Sequence, residues 1–211
     1  MTDQNRSESI PATSMELTEY NLEQLKALFP NVFTEGKVDF AALKAELGVH
    51  VETADERYQF TWAGKQQAKR IATTPSLGTL RPAAQESLDW DCTENLYLEG
   101  DNLEVLKLLQ KSYFGKVKMI YIDPPYNTGN RDFVYNDRFV DKSHRFRHSL
   151  WLEFMHRRLR LAKDLLADDG VIFVSIDDNE LFRLGMLMDE VFGESNFIAN
   201  VIWQKVYSPK N

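Results

Sequence analysis

Two short apolar runs separated by a long amphipathic segment constrain the fold more than any other feature. Residues 116–122 and 171–176 are apolar without helical periodicity, which is typical of buried strands. Between them, residues 149–166 repeat apolar side chains at helical spacing. Strands that alternate with helices at these distances predict an α/β fold, with a mostly parallel sheet and helices on both of its faces.

Shorter elements extend this pattern on both sides. We predict a strand at 96–98, a helix at 103–111, a loop at 127–148, a helix at 180–192 and a last strand at 197–206. Asp101, Asp123 and Asp177 each follow a predicted strand. Ligands of open parallel sheets bind at the carboxyl ends of the strands, so these acids mark the expected site.

The first 93 residues are organised differently. Residues 1–18 are predicted to form a disordered tail. Helices are predicted at 19–29, at 39–47 with Asp39 as N-cap, and at 65–72. Residues 73–93, rich in Pro, Ser, Gly and Thr, are predicted to be an irregular linker. The predicted organisation is therefore the tail, a helical region with its linker over 19–93, and a partial α/β domain over 94–211.

Composition excludes several classes of protein. The single cysteine, Cys92, rules out an internal disulfide framework and a cysteine-cluster metal site, and we predict no metal site. The polar N-terminal segment does not resemble a signal peptide, and no apolar run approaches the length of a membrane span. We expect a cytoplasmic protein without a membrane partner.

Charge is distributed unevenly along the chain. The net charge of −7 argues against a nucleic-acid binder. However, residues 1–60 carry five basic and eleven acidic side chains, whereas residues 131–163 carry nine basic and four acidic ones. Such a run is most often a solvated helix face. Its position directly after the candidate site favours contact with phosphates.

Four residues follow the first apolar run without interruption: Asp123, Pro124, Pro125 and Tyr126. A turn explains the prolines, which lack the N–H that a sheet needs, but not the aromatic residue. The amino group of a nucleobase is a poor nucleophile because its lone pair is delocalised into the ring. Two acceptors, the Asp123 carboxylate and the Pro124 carbonyl, would favour the geometry it needs for attack. Tyr126 offers a face on which an extruded base can stack.

The surrounding sequence resembles a known family. "IYIDPPYNTGN" is similar to the Asp-Pro-Pro-Tyr motif of DNA amino-methyltransferases. "ENLYLEGDNLEVLKLLQKSYFGKVKMIYIDPPYNTGN", "HSLWLEFMHRRLRLAKDLLADDGVIFVSIDDNE" and "FGESNFIANVIWQK" resemble the N-terminal half of the modification subunits of type III restriction-modification systems, in the β order of motifs. The resemblance covers about residues 30–206.

This resemblance implies an adenine-specific DNA methyltransferase with a Rossmann-like sheet. It would transfer a methyl group from S-adenosylmethionine to adenine N6, because Asp at the first motif position points to adenine. The implied partners are double-stranded DNA, a second copy of the chain, and a restriction subunit with helicase and nuclease activity. The implied site residues are Asp123, Pro124, Pro125 and Tyr126 for catalysis, Asp101 and Asp123 for the methyl donor, and Asn127, Thr128, Asn130, Arg145 and Arg147 for DNA.

Simpler roles stand beside these. Asp101 can be an ordinary helix N-cap, a role compatible with donor binding. Helix capping is preferred for Asp177 and Asp178. The simpler interpretations for the remaining residues are core packing for Trp151, Phe154 and Met155, and a polar surface position for His148.

Two features depart from the family. The loop between Tyr135 and His148 is shorter than the family leads us to expect, which bears on its DNA contacts. No two of the ten glycines form a Gly-x-Gly pair, so the Phe-x-Gly-x-Gly donor loop is absent, as is the target-recognition segment. We therefore expect an N-terminal portion of a longer enzyme, inactive by itself. The alternatives are a non-catalytic remnant that binds DNA or a subunit, and, ranked lower, a methyltransferase acting on RNA or protein.

Overall fold

A computed structural model of the protein describes residues 13–34, 36–50, 58–129, 133–135, 138–139 and 143–204. Most of the predicted tail and the predicted DNA contact of Asn130 lie outside these residues. Of the tail, residues 13–18 are described, and the first helix already begins at Leu17. Among the described residues, no helix is both long enough and apolar enough to cross a lipid bilayer.

The N-terminal region contains the three predicted helices. They are α1 (Leu17–Leu28), α2 (Phe40–Leu47) and α3 (Lys65–Thr73). Asp39 caps α2 as predicted, because its carboxylate accepts hydrogen bonds from the backbone N–H groups of Ala41 and Ala42 at 2.9 and 3.0 Å. A short antiparallel hairpin of β1 (Phe33–Thr34) and β2 (Lys37–Val38) was not predicted.

The second part of the chain forms the α/β unit. Its elements are α4 (Asn102–Tyr113), β3 (Val117–Ile122), β4 (Val134–Tyr135), β5 (Arg138–Phe139), α5 (Arg147–Leu165), β6 (Leu166–Val174) and α6 (Leu181–Phe192). Strands β3 and β6 pair in parallel, with Ile120 opposite Ile172 and Ile122 opposite Val174. The predicted pairing of parallel strands through a helical crossover is therefore confirmed. Within the predicted loop, β4 and β5 form a small hairpin.

Helix α5 organises the core. Its buried side chains, among them Trp151, Met155 and Leu159, pack against Leu184 and Leu187 of α6. Partly buried residues of the sheet, such as Ile122, Ile172 and Val174, cover the same cluster. The core interpretation of Trp151 and Met155 is confirmed by exposures of 0% and 1%, and Phe154 packs against the same cluster. A second cluster of Leu17, Leu103 and Leu161 joins α1 to α4 and α5.

The opposite face of the sheet is open. Met119, Tyr121 and Phe173 are 62%, 63% and 49% exposed. Side chains alternate between the two faces of a strand, so these residues lie opposite the core. The prediction of helices on both faces is therefore not met within the described residues, where α5 and α6 cover one face.

Two predicted strands are wrong. The segment 96–98 forms no strand, and Leu96 and Tyr97 are 66% and 90% exposed. Residues 197–204 form none either, and Ile202 is 94% exposed. A strand needs a neighbour for its backbone hydrogen bonds, and no described strand pairs with either segment. The last two residues of the second prediction lie outside the described residues.

The boundary between α5 and β6 also differs from the prediction. The helix ends at Leu165, and β6 begins at once with Leu166, ahead of the predicted start at 171. Gly170, which lies between the predicted helix and the predicted strand, is within β6. A Cβ atom there would come within 2.9 Å of the Val117 carbonyl oxygen, so glycine permits the close approach of β6 to β3.

Candidate active site

The Asp-Pro-Pro-Tyr sequence forms the turn that leaves the carboxyl end of β3. Asp123 directly follows the strand and is exposed, whereas Pro124 is buried. Pro125 and Tyr126 are half-buried. Because the proline rings restrict the backbone, the orientation of the carbonyl groups in this turn is restricted as well.

The buried side chain of Trp151 is hydrogen-bonded to this turn. Its indole Nε1 donates a 2.6 Å hydrogen bond to the carbonyl oxygen of Pro125, and its ring is fully buried. A buried Trp N–H needs a partner, and here the partner is the turn itself. The sequence indicated a core residue but gave no sign of this contact, which joins α5 to the candidate site.

Acids at the ends of both strands influence Tyr126. Hydrogen bonding to the Asp123 carboxylate is the largest cause that raises the pKa of the Tyr126 hydroxyl, and burial adds to it. The charge of Asp177 at the end of β6 acts in the same direction. Beside them, the hydroxyl groups of Tyr121 and Ser175 lie 2.7 Å apart.

Asn127 turns into the protein. Its φ is +57°, in the left-handed region, and its side chain is fully buried. The side-chain amide donates hydrogen bonds to Oε1 of Glu180 and, at 3.5 Å, to the carbonyl oxygen of Arg147. The predicted contact of Asn127 with DNA thus has no exposed surface to support it in this structure. Thr128 is half-buried.

Glu180 is a buried acid beside the candidate site that sequence analysis did not single out. It lies directly before α6, and none of its side chain is exposed. Nδ1 of His148 lies 2.5 Å from its Oε1, and the Arg183 guanidinium lies 3.5 Å from its Oε2. His148 remains 32% exposed, as expected of a polar residue near the surface, but its pairing with a buried acid was not predicted. An acid at a helix start was the only signal, and helix starts commonly carry acids.

Asp101 caps α4. Its Oδ1 accepts hydrogen bonds from the backbone N–H groups of Leu103 and Glu104 at 2.9 and 3.2 Å. The capping interpretation is confirmed, and the residue is exposed. Nearby, the Arg158 guanidinium donates to Oδ1 of Asn102 at 2.7 Å. Burial lowers the pKa of Arg158 to about 10, and the charge of Asp101 opposes this shift.

The other strand-end acid, Asp177, also accepts local hydrogen bonds. It accepts hydrogen bonds from the backbone N–H and side-chain amide of Asn179 at 2.9 and 2.7 Å. Its carbonyl oxygen accepts from the N–H groups of Glu180 and Leu181 as the chain enters α6. The helix-capping interpretation of Asp177 is wrong, because its side chain stabilises the turn ahead of α6 while Glu180 occupies the N-cap position; Asp178 is exposed.

Arg145 and Arg147 lie at the start of α5. Arg145 is exposed, and its guanidinium lies 5.3 Å from the centre of the Phe146 ring. Arg147 is half-buried, and its Nε donates to Nε2 of His148 at 3.2 Å. Through its contact with Asn127, the Arg147 backbone adjoins the turn. The run of basic residues over 131–163 therefore includes side chains that lie next to the candidate site.

Comparison with known proteins shows which families this chain is similar to. A family model described as DNA methylase matches residues 117–211. The EcoPI Mod subunit, from a type III restriction-modification enzyme of Escherichia phage P1, is 40% identical over 207 residues, covering 85% of this chain and 32% of that protein. The StyLTI Mod subunit of Salmonella typhimurium is 36% identical over 242 residues, covering 96% and 36%.

Similarity is higher over a shorter stretch. The probable HindVI Mod subunit of Haemophilus influenzae is 54% identical over 112 residues, covering 53% of this chain and 14% of that protein. The chain spans about a third of the length of the EcoPI and StyLTI subunits. Residues 117–211 match the model of the DNA methylase family, and the chain as a whole is similar to the Mod subunits of type III restriction-modification enzymes.

Proposed function

We propose that this chain supplies the amino-group pocket of a restriction-modification methyltransferase that transfers a methyl group from S-adenosylmethionine to adenine N6 in double-stranded DNA. One observation carries the proposal: an exposed Asp123 at the carboxyl end of β3, followed by a Pro-Pro-Tyr turn that Trp151 anchors. The similarity to Mod subunits supports the choice of DNA as substrate.

The turn would activate the amino group through two acceptors. The Asp123 carboxylate takes one N–H of the adenine amino group, and the Pro124 carbonyl takes the other. The Pro125 carbonyl already accepts one hydrogen bond from Trp151, which favours the Pro124 carbonyl for the acceptor role. With both hydrogen bonds formed, the lone pair of the nitrogen turns out of the ring and toward the methyl donor.

Tyr126 would bind the extruded base. Its ring stacks on the adenine, while its hydroxyl, which like that of an ordinary tyrosine is protonated at neutral pH, donates to Asp123. That hydrogen bond orients the carboxylate before the base arrives. Thr128, Arg145 and Arg147 would contact the DNA backbone around this point, and a contact by Asn130 stays a prediction.

The exposed acids fit the methyl donor. S-adenosylmethionine supplies an electrophilic methyl group on a positively charged sulfur, together with ribose hydroxyl groups and an adenine amino group. Both capping bonds of Asp101 go to Oδ1, and an ionised carboxylate can accept about four hydrogen bonds, so capacity remains for the donor. Asp123 adds a negative charge that complements the sulfonium. The proposed donor contacts are therefore Asp101 and Asp123.

Partners follow from the same proposal. A type III modification enzyme would pair with a second copy of itself and with a restriction subunit. It would act in the cytoplasm, where it reaches cellular DNA.

Analysis of methylated nucleosides tests the proposal. A protein that contains these 211 residues is incubated with unmodified DNA and labelled S-adenosylmethionine, and the digested nucleosides are separated by mass. We expect N6-methyladenine, and at least a hundredfold less of it from Asp123→Ala. N4-methylcytosine would overturn the assignment to adenine. DNA binding with no transfer would favour the non-catalytic alternative.

A further inference from the structure

We propose that Glu180 is a positioning residue for methyl transfer: its buried carboxylate fixes the turn that follows Tyr126 and thereby orients Tyr126 and Asp123. This inference rests on the proposed function. Glu180 lies 57 residues beyond Asp123 in the sequence, and it contacts the turn because the tertiary structure brings the two segments together.

The turn after Tyr126 needs an anchor. Asn127 has φ of +57°, a conformation that few residues other than glycine adopt, although asparagine tolerates it better than most. Its side chain is fully buried, and a buried amide without partners is unfavourable. Glu180 supplies the acceptor for that amide. The unusual backbone conformation and the buried side chain are therefore stabilised together.

Three features of the surrounding structure stabilise the Glu180 carboxylate. His148 of α5 approaches the same oxygen as Asn127, Arg183 of α6 faces the other oxygen, and the start of α6 favours a negative charge. A charge-assisted hydrogen bond is stronger than a neutral one, which suits an anchor of this kind. The carboxylate thus ties the turn to both helices that line the core.

The two anchors bracket Tyr126. Trp151 holds the carbonyl of Pro125 on one side, and Glu180 holds the side chain of Asn127 on the other. With both neighbours fixed, the ring of Tyr126 keeps its direction at the site. A displacement of about 1 Å in a catalytic group can reduce turnover about a hundredfold, so such bracketing bears directly on the rate.

Two readouts test the inference. In the protein labelled with ¹⁵N-asparagine, the side-chain amide signal of Asn127 is identified by its loss in Asn127→Gly. In Glu180→Ala this signal should shift and exchange faster with water. In a methylation-competent protein that contains the chain, Glu180→Ala should lower kcat about tenfold or more, with KM for DNA changed less than about threefold. Glu180→Gln keeps an acceptor oxygen and should recover part of kcat.

Glu153→Gln is the matched control. Like Glu180, Glu153 is buried (7% exposed), but it belongs to α5, and its carboxylate lies 3.8 Å from Arg157 and faces Gly64. The Glu153→Gln change should leave both the Asn127 signal and kcat unchanged. An unshifted Asn127 signal in Glu180→Ala, or wild-type kcat in that variant when folded, would overturn the inference.

Two further outcomes are also decisive. If Glu180→Ala does not fold, Asn127→Gly replaces it, because glycine keeps the positive φ and lacks the amide. A tenfold lower kcat in Asn127→Gly supports the inference, and wild-type kcat refutes it. If the unmodified protein transfers no methyl group, the proposed function fails while the Asn127 signal still decides whether Glu180 anchors the turn.

Discussion

The indole nitrogen of Trp151 donates a 2.6 Å hydrogen bond to the carbonyl oxygen of Pro125, so a core residue of α5 directly supports the turn at the end of β3. The N–H of a buried tryptophan usually finds a hydrogen-bond partner. Here the same side chain fills the core and donates to one carbonyl of the turn. We therefore expect packing and chemistry at this site to be coupled.

Replacing Trp151 with Phe should separate these two roles. Phenylalanine retains most of the apolar ring but removes the N–H, which leaves the Pro125 carbonyl without its partner. We expect a loss of about 1–3 kcal/mol in the free energy of unfolding and a lower rate of methyl transfer. Urea unfolding and single-turnover methylation measure the two effects. Trp203→Phe, at a residue that is 86% exposed, is the control. Equal rates in Trp151→Phe and the unmodified protein would contradict the coupling.

Tyr126 should depend on its ring more than on its hydroxyl. Tyr126→Ala removes the stacking face, worth about 1–3 kcal/mol per base, and should weaken base extrusion. Tyr126→Phe keeps the face but removes the hydrogen bond to Asp123, so it should retain part of the activity. Fluorescence of 2-aminopurine at the target position reports extrusion. The stacking role is excluded if the alanine variant gives the signal of the unmodified protein.

Arg145 and Arg147 should contribute to the salt dependence of DNA binding. Replacing both with Gln should reduce the slope of log K against log salt by about two, if each contacts one phosphate. Because Arg147 also contacts His148, the single change Arg145→Gln should reduce the slope by about one without disturbing the turn. Lys44→Gln, on α2 in the acidic N-terminal region, is the control. An unchanged slope in the double variant would assign these arginines to a solvated surface.

Local signals in the sequence were sufficient for the helices. Asp39 and Asp101 were expected to cap helices because an acid ahead of an apolar repeat satisfies free N–H groups within a few residues, and both do so. Strands β3 and β6 were also recognisable, because their apolar runs reflect burial. These features depend on residues that are close in the sequence.

Features that depend on distant partners were not predictable. The apolar residues at 96–98 and 197–206 satisfy strand propensity, but a strand forms only where a neighbour offers hydrogen bonds. The contact of His148 with Glu180 joins residues 32 positions apart, and that of Trp151 with Pro125 joins residues 26 apart. The periodicity of apolar residues in a sequence indicates which side chains are buried, but it does not indicate which of them contact one another. The role proposed for Asp123 follows from its motif, whereas no motif indicates that Trp151 and Glu180 contact the turn.

His156 should make stability dependent on pH. It is 3% exposed beside Trp62, and burial, the main cause, lowers its pKa to about 4. In the unfolded chain the imidazole titrates near its ordinary value of 6.5. As the pH falls below 6.5, the imidazole therefore takes up a proton in the unfolded state but not in the folded state. The free energy of unfolding should keep its full value above pH 6.5. It should fall by at most about 3 kcal/mol as the pH decreases to about 4.

Urea unfolding at pH 7 and pH 4.5 measures this effect. The unmodified protein should lose stability between the two values, and His156→Leu should lose less because its side chain cannot be protonated. His144→Leu, at an exposed histidine, should behave like the unmodified protein. Partly buried Asp164, whose pKa is raised by desolvation, acts in the opposite direction in all three proteins, so the comparison isolates His156. The same loss of stability in His156→Leu and the unmodified protein would show that another group titrates.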